Sequence, residues 1–491
     1  MKKHKLIFFI LGIVAVILIA GAFILSSNVL KKNNDGSTKE TAGEGEIADI
    51  SNLATQIVEV PEPKPEPEPE PVFEEYDIHI LAVGDNLYHT GVINSGKKSD
   101  GTLNYDHEFI EIADFLELAD IKIINQETPL AGNDRGFSSY PVFNTPTEVG
   151  DATAKAGFNV VLGATNHAFD QGISGLVSFY NFYKNNYPEI LLCGIHGDEP
   201  KTILPNTVTG DEGVNIVVTT AGTASDVDPE EEAASVVIDD AYDYSRINLI
   251  KVKDITFAVL NYSYGNNTET FSSAQESHMD SLCDWDPGSR YYNFEKMHPQ
   301  VIEDIKLAET IADITIVCPH WGVEYQTSPS TFQKSWGAEM VAAGADVIIG
   351  AHPHVPQPVE WITAENGNEG ICYYSLGNYV STQNQASVNM LEEMAWVSIH
   401  VTEDGAYVNE PATGVIPLVN HYTFNPLCYQ RTYLLEDYTD ELANAHGILG
   451  WGGFPLKLET LQNLKDEIMG NMVITRNDVY SQFDPVEIPA R

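Results

Sequence analysis

From Ile78 onward the chain alternates short runs of β-branched residues with stretches of helical character, and this alternation is the strongest constraint on its fold. The runs 78-IHILAVG, 121-IKIIN, 158-FNVVLGA, 214-VNIVVTTAG, 246-RINLIKV, 255-ITFAVLN, 314-ITIVCP and 346-DVIIGA read as strands. Among them 107-HEFIEIADFLEL, 149-VGDATAKAG, 299-PQVIEDIKLAETIA and 332-FQKSWGAEMVAAG read as helices. Such a pattern predicts the α/β class with a largely parallel core. From about Cys372 to Pro417 strand-like runs follow one another without helices, which predicts added antiparallel strands.

The N-terminus has a different character. Leu6 to Leu25 is an unbroken stretch of 20 apolar residues. As a helix it would span roughly 30 Å, the thickness of a bilayer core. Lys2, Lys3 and Lys5 precede it, which favours a cytoplasmic N-terminus. No A-x-A site follows, and Lys31 and Lys32 do, so the run reads as an uncleaved signal anchor and not a cleaved signal peptide. Residues 61–71 read PEPKPEPEPEP, which forbids helix and favours extended polyproline II. The expected organisation is a cytoplasmic stub and single transmembrane helix over residues 1–26 and a Pro/Glu-rich linker over 27–75. The main domain follows over 76–385, with strands and a tail packed on it over 386–491. The protein is then expected in the cell membrane, crossing once, with its catalytic domain outside the cell.

The charge balance excludes one class of partner. There are 26 Lys and Arg against 71 Asp and Glu, a formal charge of −45. A chain this acidic repels nucleic acid, so no nucleic-acid partner is expected. Five cysteines without a CxxC pair do not form a disulfide scaffold. Cys193, Cys318 and Cys372 sit in apolar runs and read as buried small hydrophobes. Residues 223–245 read as a solvated acidic loop. The tail after Pro417, with Tyr422, Tyr429, Tyr433 and Trp451, is expected to pack on the main domain.

Five apolar runs each end in side chains able to bind metal. AVGD ends in Asp85, IINQE in Glu127, VVLGATNH in Asn166 and His167, ITIVCPH in His320, and DVIIGAHPH in His352 and His354. Open α/β sheets bind ligands outside the carboxyl ends of their strands. His352 and His354 are one residue apart, so their rings point the same way if the segment is extended. Mixed carboxylate, amide and imidazole donors suit divalent Mn, Fe or Zn. A carboxylate shared between two donor sets allows a two-metal site, with ions about 3.5–4 Å apart. One or two ions are therefore expected.

The ordered segments Gly84-Asp85, 125-NQETP, 166-NHAFDQG, 320-HWGVEY, 350-GAHPHVPQPVE and 374-YSLGN make the chain similar to the CapA family of capsule synthesis proteins, of the poly-γ-glutamate type. The resemblance covers about Asp77 to Asn384. It implies a metallophosphoesterase-like layered α/β sandwich. It also implies that Asp85, Glu127, Asn166, His320, His352 and His354 bind metal, with Glu127 bridging, and that His167 acts as general acid or steadies an anion. The chain departs from the phosphoesterase pattern in two places. Asp85, Asn86 and Leu87 stand where D-x-H is usual, with His89 nearby as a replacement imidazole or, the favoured reading, a loop or helix-start residue, and the bridging position is Glu where Asp is usual.

Several other residues are weaker candidates. Asp170 orients His167 or caps a helix. Glu324, four residues after His320, is a candidate for the second layer around the metal. Asn378 faces the site or serves a turn. Arg135 is a cation able to hold a substrate carboxylate or phosphate. Three functions stay open. The first is a membrane-anchored extracellular CapA-like protein that hydrolyses, transfers or binds poly-γ-glutamate. The second is an extracellular metallophosphoesterase, and the third a non-catalytic subunit of a membrane synthesis complex. The corresponding partners are an anionic polymer or phosphoester substrate and membrane proteins of a capsule-synthesis complex. The high negative charge suits a polyanion only where metal ions offset it.

Overall fold

The computed structural model describes residues 73–483, apart from residue 201 and the segments 209–216, 221–234, 269–270, 287, 289–290, 424–428 and 449–454. The apolar run Leu6 to Leu25, the PEPKPEPEPEP segment, most of the acidic insertion, Cys428 and Trp451 lie outside the described residues. Among the described residues no helix is long and apolar enough to cross a membrane.

The first half builds one parallel run of strands. β1 (Tyr76–Asn86), β2 (Ile121–Asn125), β3 (Val160–Leu162) and β4 (Leu191–Cys193) lie side by side in that order. The helices Ala113–Leu118, Glu148–Lys155 and Gly172–Asn186 connect them. Next come the short β5 (Asn206–Thr207), a parallel pair β6 (Val217–Thr220) and β7 (Ser235–Ile238), β8 (Asn248–Val252) and β9 (Ile255–Ser263). An antiparallel pair follows, β10 (Cys283–Asp286) with β11 (Tyr291–Met297). Then come β12 (Ile314–His320), β13 (Val347–Ile349), β14 (Val359–Thr363) and β15 (Glu369–Tyr373). The last strands are β16 (Asn378–Val380), β17 (Leu391–Thr402), β18 (Gly405–Val408), β19 (Gly414–Thr423) and β20 (Tyr429–Leu434).

Two large mixed sheets result. One has the order β20-β19-β17-β1-β2-β3-β4, the other β14-β15-β13-β12-β9-β8-β5. Side-chain parity decides how they pack. Ile78, Ile80 and Ala82 of β1 share one buried core with Phe257 and Val259 of β9 and with Ile314, Ile316 and Cys318 of β12. The opposite parity on the first sheet, Leu81, Val83, Ile124 and Val161, meets Phe115, Ala152 and Phe179 from its helices. On the second sheet Leu249, Leu260, Val317 and Ile348 meet Val301, Ile305, Trp336 and Met340 of the helices Pro299–Ala308 and Thr331–Ala343. The layers are helix, sheet, sheet, helix, which fits a metallophosphoesterase-like α/β fold. Both faces of each sheet are covered, so the strands read as nearly continuous apolar runs.

The strands after residue 385 are not an addition at the margin. β17 pairs antiparallel with β1 from Tyr76↔Val401 to Val83↔Met394, and β19 pairs antiparallel with β17. Over Tyr76–Val83, β1 thus lies inside the sheet because a segment more than 300 residues later closes its flank, and β16 takes over beside Asp85 and Asn86. The four described cysteines, Cys193, Cys283, Cys318 and Cys372, are free and buried, and burial raises their thiol pKa values.

Candidate metal centre

Parity also builds the site. On β2, Ile121 and Ile123 face the other sheet, so Asn125 does too. On β12, Ile314, Ile316 and Cys318 face the first sheet, so His320 does too. These two strand-end residues meet, with Asn125 Nδ2 3.4 Å from His320 Nδ1. Asp85 joins them because β1 bends at Gly84. The pairing of β1 with β2 shifts register between Val83 and Asp85. A Cβ on Gly84 would come within 2.0 Å of the Gly377 carbonyl oxygen, so only glycine allows this approach. Asp85 then accepts from Asn125 Nδ2 at 2.7 Å through Oδ1, and from the His352 backbone N–H at 3.2 Å through Oδ2.

His352 and His354 come from a tight turn, not the extended segment expected. Their φ values are 101° and 59°, a region that non-glycine residues enter at a cost of order 1–3 kcal/mol. Backbone bonds from Trp321 N to Ala351 O (3.0 Å) and from Tyr325 N to Pro353 O (2.8 Å) hold the turn. The two rings still converge on one region, with centroids 5.8 Å apart and that of His352 4.9 Å from His320.

Two sets of ligand atoms lie within 4.8 Å of one another, Glu127 with His320 and His352, and Asp85 with Glu127 and His354. Glu127 belongs to both. His354 Nε2 is 3.6 Å and His320 Nε2 3.9 Å from Glu127 Oε1, and His354 Nδ1 is 3.0 Å from Asp85 Oδ2. Asn166 Oδ1 stands 3.0 Å from His320 Nε2, and Asn378 Oδ1 3.1 Å from His354 Nδ1. All of these side chains are buried.

The donor set fits a cation. Both carboxylate oxygens of Glu127 and Nδ1 of His352 are buried without a hydrogen-bond partner. Leaving such groups unmatched costs roughly 1–3 kcal/mol each, more if charged. Burial pushes the Glu127 carboxyl well above its usual range. Burial and the neighbouring imidazoles push His320 and His352 well below theirs, which leaves neutral rings with lone pairs to offer. At His354 burial acts downward, but the Glu127 and Asp85 carboxylates outweigh it and lift the group to about 9. The pocket is short of positive charge, and these residues could hold a metal ion.

His167 sits beside this cluster. Its Nδ1 is 2.8 Å from Asp170 Oδ2, and Asp170 also accepts from Phe143 N at 2.7 Å. The N-cap of the following helix is Gln171, so Asp170 is engaged with the imidazole. Asn267 Nδ2 lies 3.3 Å from His167, and Phe143 sets its edge against the ring at 4.7 Å. His89 also lies close by, against Phe143, with a pKa lowered by burial to about 3, and belongs to neither ligand set. Arg135 points elsewhere, donating to Ala131 O at 2.9 Å and Ser174 Oγ at 3.2 Å.

Four residues at the site have no place in the sequence reading beside the imidazoles. Asn125 is one, and its period-two spacing from Ile121 and Ile123 is the signal that marks it. Tyr264 lies 4.7 Å from the His352 ring and Tyr325 6.0 Å from that of His354. Asn267 reaches His167 from a loop, where no periodicity exists to reveal it.

Comparison with known proteins agrees with the motif order. A family model described as "Bacterial capsule synthesis protein PGA_cap" matches residues 79–242 and 237–383. The chain is 34% identical over 132 residues to the capsule biosynthesis protein CapA of Bacillus anthracis, a match covering 27% of this chain and 29% of that protein. It is 39% identical over 101 residues to the PGA biosynthesis protein CapA of Bacillus subtilis strain 168, covering 21% of this chain and 24% of that protein. The matched segments thus span less than a third of either relative. A solved structure of a hypothetical protein from Thermus thermophilus aligns over 69% of this chain and 98% of its own, with a TM-score of 0.33 and 12% identity.

Proposed function

The chain belongs to the PGA_cap family of bacterial capsule synthesis proteins, and from that premise we propose that its centre acts on poly-γ-glutamate or a related capsule polymer. One observation carries the reading. Glu127 is a buried carboxylate common to two ligand sets, with neither oxygen hydrogen-bonded. In this reading Asp85, Glu127 and His354 hold one divalent ion, and Glu127, His320, His352 and Asn166 a second. Mn, Fe and Zn suit these donors. The apolar run Leu6 to Leu25 supports a membrane anchor, with the described domain outside the cell.

A divalent ion bound here supplies a water acidified toward neutral pH and polarises an acyl or phosphoryl oxygen. The chain's own residues do the rest. Asp170 and Asn267 fix the His167 ring, and His167 gives a proton to the leaving nitrogen or oxygen. Asn125 holds Asp85, and Asn378 holds His354. Arg135 has no part in this scheme.

The layered sandwich also supports a second reading, an extracellular phosphoesterase. Against it, Asn86 and Leu87 stand where that pattern has x-H, so the set containing Asp85 has one imidazole. To separate them, the full chain extracted in detergent is supplied with Mn or Zn and offered poly-γ-glutamate and an aryl phosphodiester side by side. Cleavage of the polymer is the expected result. Cleavage of the phosphodiester alone moves the assignment to the phosphoesterase. If neither reacts, and His167→Ala still supports capsule production in cells, the protein is a non-catalytic subunit.

A further inference from the structure

A third ligand set, Glu324 with His352 and His354, also has its atoms within 4.8 Å of one another. His352 belongs to one of the two buried sets and His354 to the other, so Glu324 reaches both. Glu127 does the same, but Glu127 is 1% exposed, whereas Glu324 is exposed. One carboxylate near the histidine pair is thus sealed from solvent and the other is open to it.

The Glu324 backbone is not a free loop. Trp321 N and Tyr325 N bond to Ala351 O and Pro353 O, which ties the segment to the turn that carries both histidines. Gly322 takes φ 99°, which glycine adopts freely, and a Cβ there would meet Gln333 at 2.9 Å; Tyr325 has φ 64°, a region non-glycine residues enter at a cost. Gln383 Nε2 donates to the Tyr325 hydroxyl at 3.2 Å. Its Oε1 accepts from Asn378 Nδ2 at 3.0 Å, and Asn378 Oδ1 meets His354. Backbone and side-chain bonds thus hold the segment that carries Glu324 beside the imidazoles.

We propose that Glu324 is a metal ligand, closing the centre from the solvent side. This rests on the metal reading above. Glu324 shares His354 with the set around Asp85, which has one imidazole, and shares His352 with the other set. It also bears on substrate charge. Against two divalent ions, the three carboxylate ligands Asp85, Glu127 and Glu324 leave one positive charge among the ligands, with Asp170 beside His167 as the next carboxylate out. An anionic group can then approach the centre of a chain whose formal charge is −45.

The test is calorimetric titration of the metal-free full chain in detergent with Mn2+ and with Zn2+, joined to the electron paramagnetic resonance spectrum of bound Mn2+. Glu324→Gln should weaken binding by at least ~10-fold and change the Mn2+ spectrum, while the metal-free protein melts as the wild type does. Glu324→Asp should recover part of the affinity. Glu127→Gln is the control. If it loses metal while Glu324→Gln matches the wild type in affinity, stoichiometry and spectrum, Glu324 is not a ligand and the centre stands. If Glu127→Gln binds metal as the wild type does, the centre itself is wrongly assigned and Glu324 falls with it.

Discussion

Asn125 donates from Nδ2 to Oδ1 of Asp85 at 2.7 Å, and so fixes the carboxylate that β1 delivers to the site. The same nitrogen stands 3.4 Å from His320. Outer partners of this kind typically change metal affinity by ~10–100-fold. Asn125→Ala should therefore weaken Mn2+ binding by about that factor, with little change in melting temperature. Unaltered affinity by calorimetry would show that Asp85 needs no such partner.

His167 should separate binding from turnover. Its ring is held by Asp170 at 2.8 Å and is proposed as a proton donor, not a ligand. His167→Ala should keep its metal content by elemental analysis and lose ~10²–10⁴-fold in turnover of the cleaved substrate. Loss of metal in this variant would make the imidazole a ligand instead.

Glu108 gives the stability a pH dependence remote from the site. It is fully buried, takes a hydrogen bond from the Tyr88 hydroxyl, and burial lifts its carboxyl from 4.5 to about 8. The folded state therefore holds a proton that the unfolded chain releases above pH 4.5. This contribution is complete below 4.5 and is lost as pH rises to about 8, at roughly 1.4 kcal/mol per unit as an upper bound. Glu108→Gln should flatten the fall in denaturation midpoint across that window. A midpoint that falls equally in both proteins would assign the dependence to other groups.

Acid should unfold the protein through its buried histidines. Burial lowers His107 and His446 to about 4 and His421 to about 3. Their contribution is present above pH 6.5 and is lost as pH falls through those values. His446→Gln should reduce the loss of stability between pH 6.5 and 4, read by thermal melts in matched buffers.

Trp396 tests whether the strands after residue 385 belong to the core. It is fully buried, lies 5.3 Å from His79 and 6.3 Å from Phe115, and donates to Gln482 Oε1 at 3.1 Å. Trp396→Ala should cost ~3–5 kcal/mol in a urea titration. A cost below ~1 kcal/mol would mean that β17 is peripheral to folding.

Much of the site is legible along the chain because strand ends are legible. Asp85, Glu127, Asn166, His320, His352 and His354 each follow an apolar run directly, and an edge that gathers carboxyl ends gathers them too. Asn125 is harder to see, because the more conspicuous Glu127 follows it by two and draws the reading past the strand. The His352-Pro353-His354 turn is hidden because no local pattern announces φ values of 101° and 59°. Its shape comes from Trp321 and Tyr325, which are distant along the chain. Arg135 is near the site loops in sequence, but its own loop carries the guanidinium to Ala131 and Ser174. The boundary at 385 marks a change in local pattern, whereas the pairing of β17 with β1 is a contact that no local pattern encodes.

That pairing has a consequence for the order of events at the ribosome. All six proposed ligands of the buried sets precede residue 355, so each is made before β17 exists. Until residues 391–402 emerge, the stretch Tyr76–Val83 of β1 is an open sheet edge, while Asp85 beyond it pairs with Asn378 of β16 and Asn125 of β2. A nascent chain can thus present every donor atom before the sheet behind them is complete. A protein cut short after residue 385 would retain the ligands and the β16 and β2 partners of Asp85, but would leave unpaired the Tyr76–Val83 edge that leads into the site.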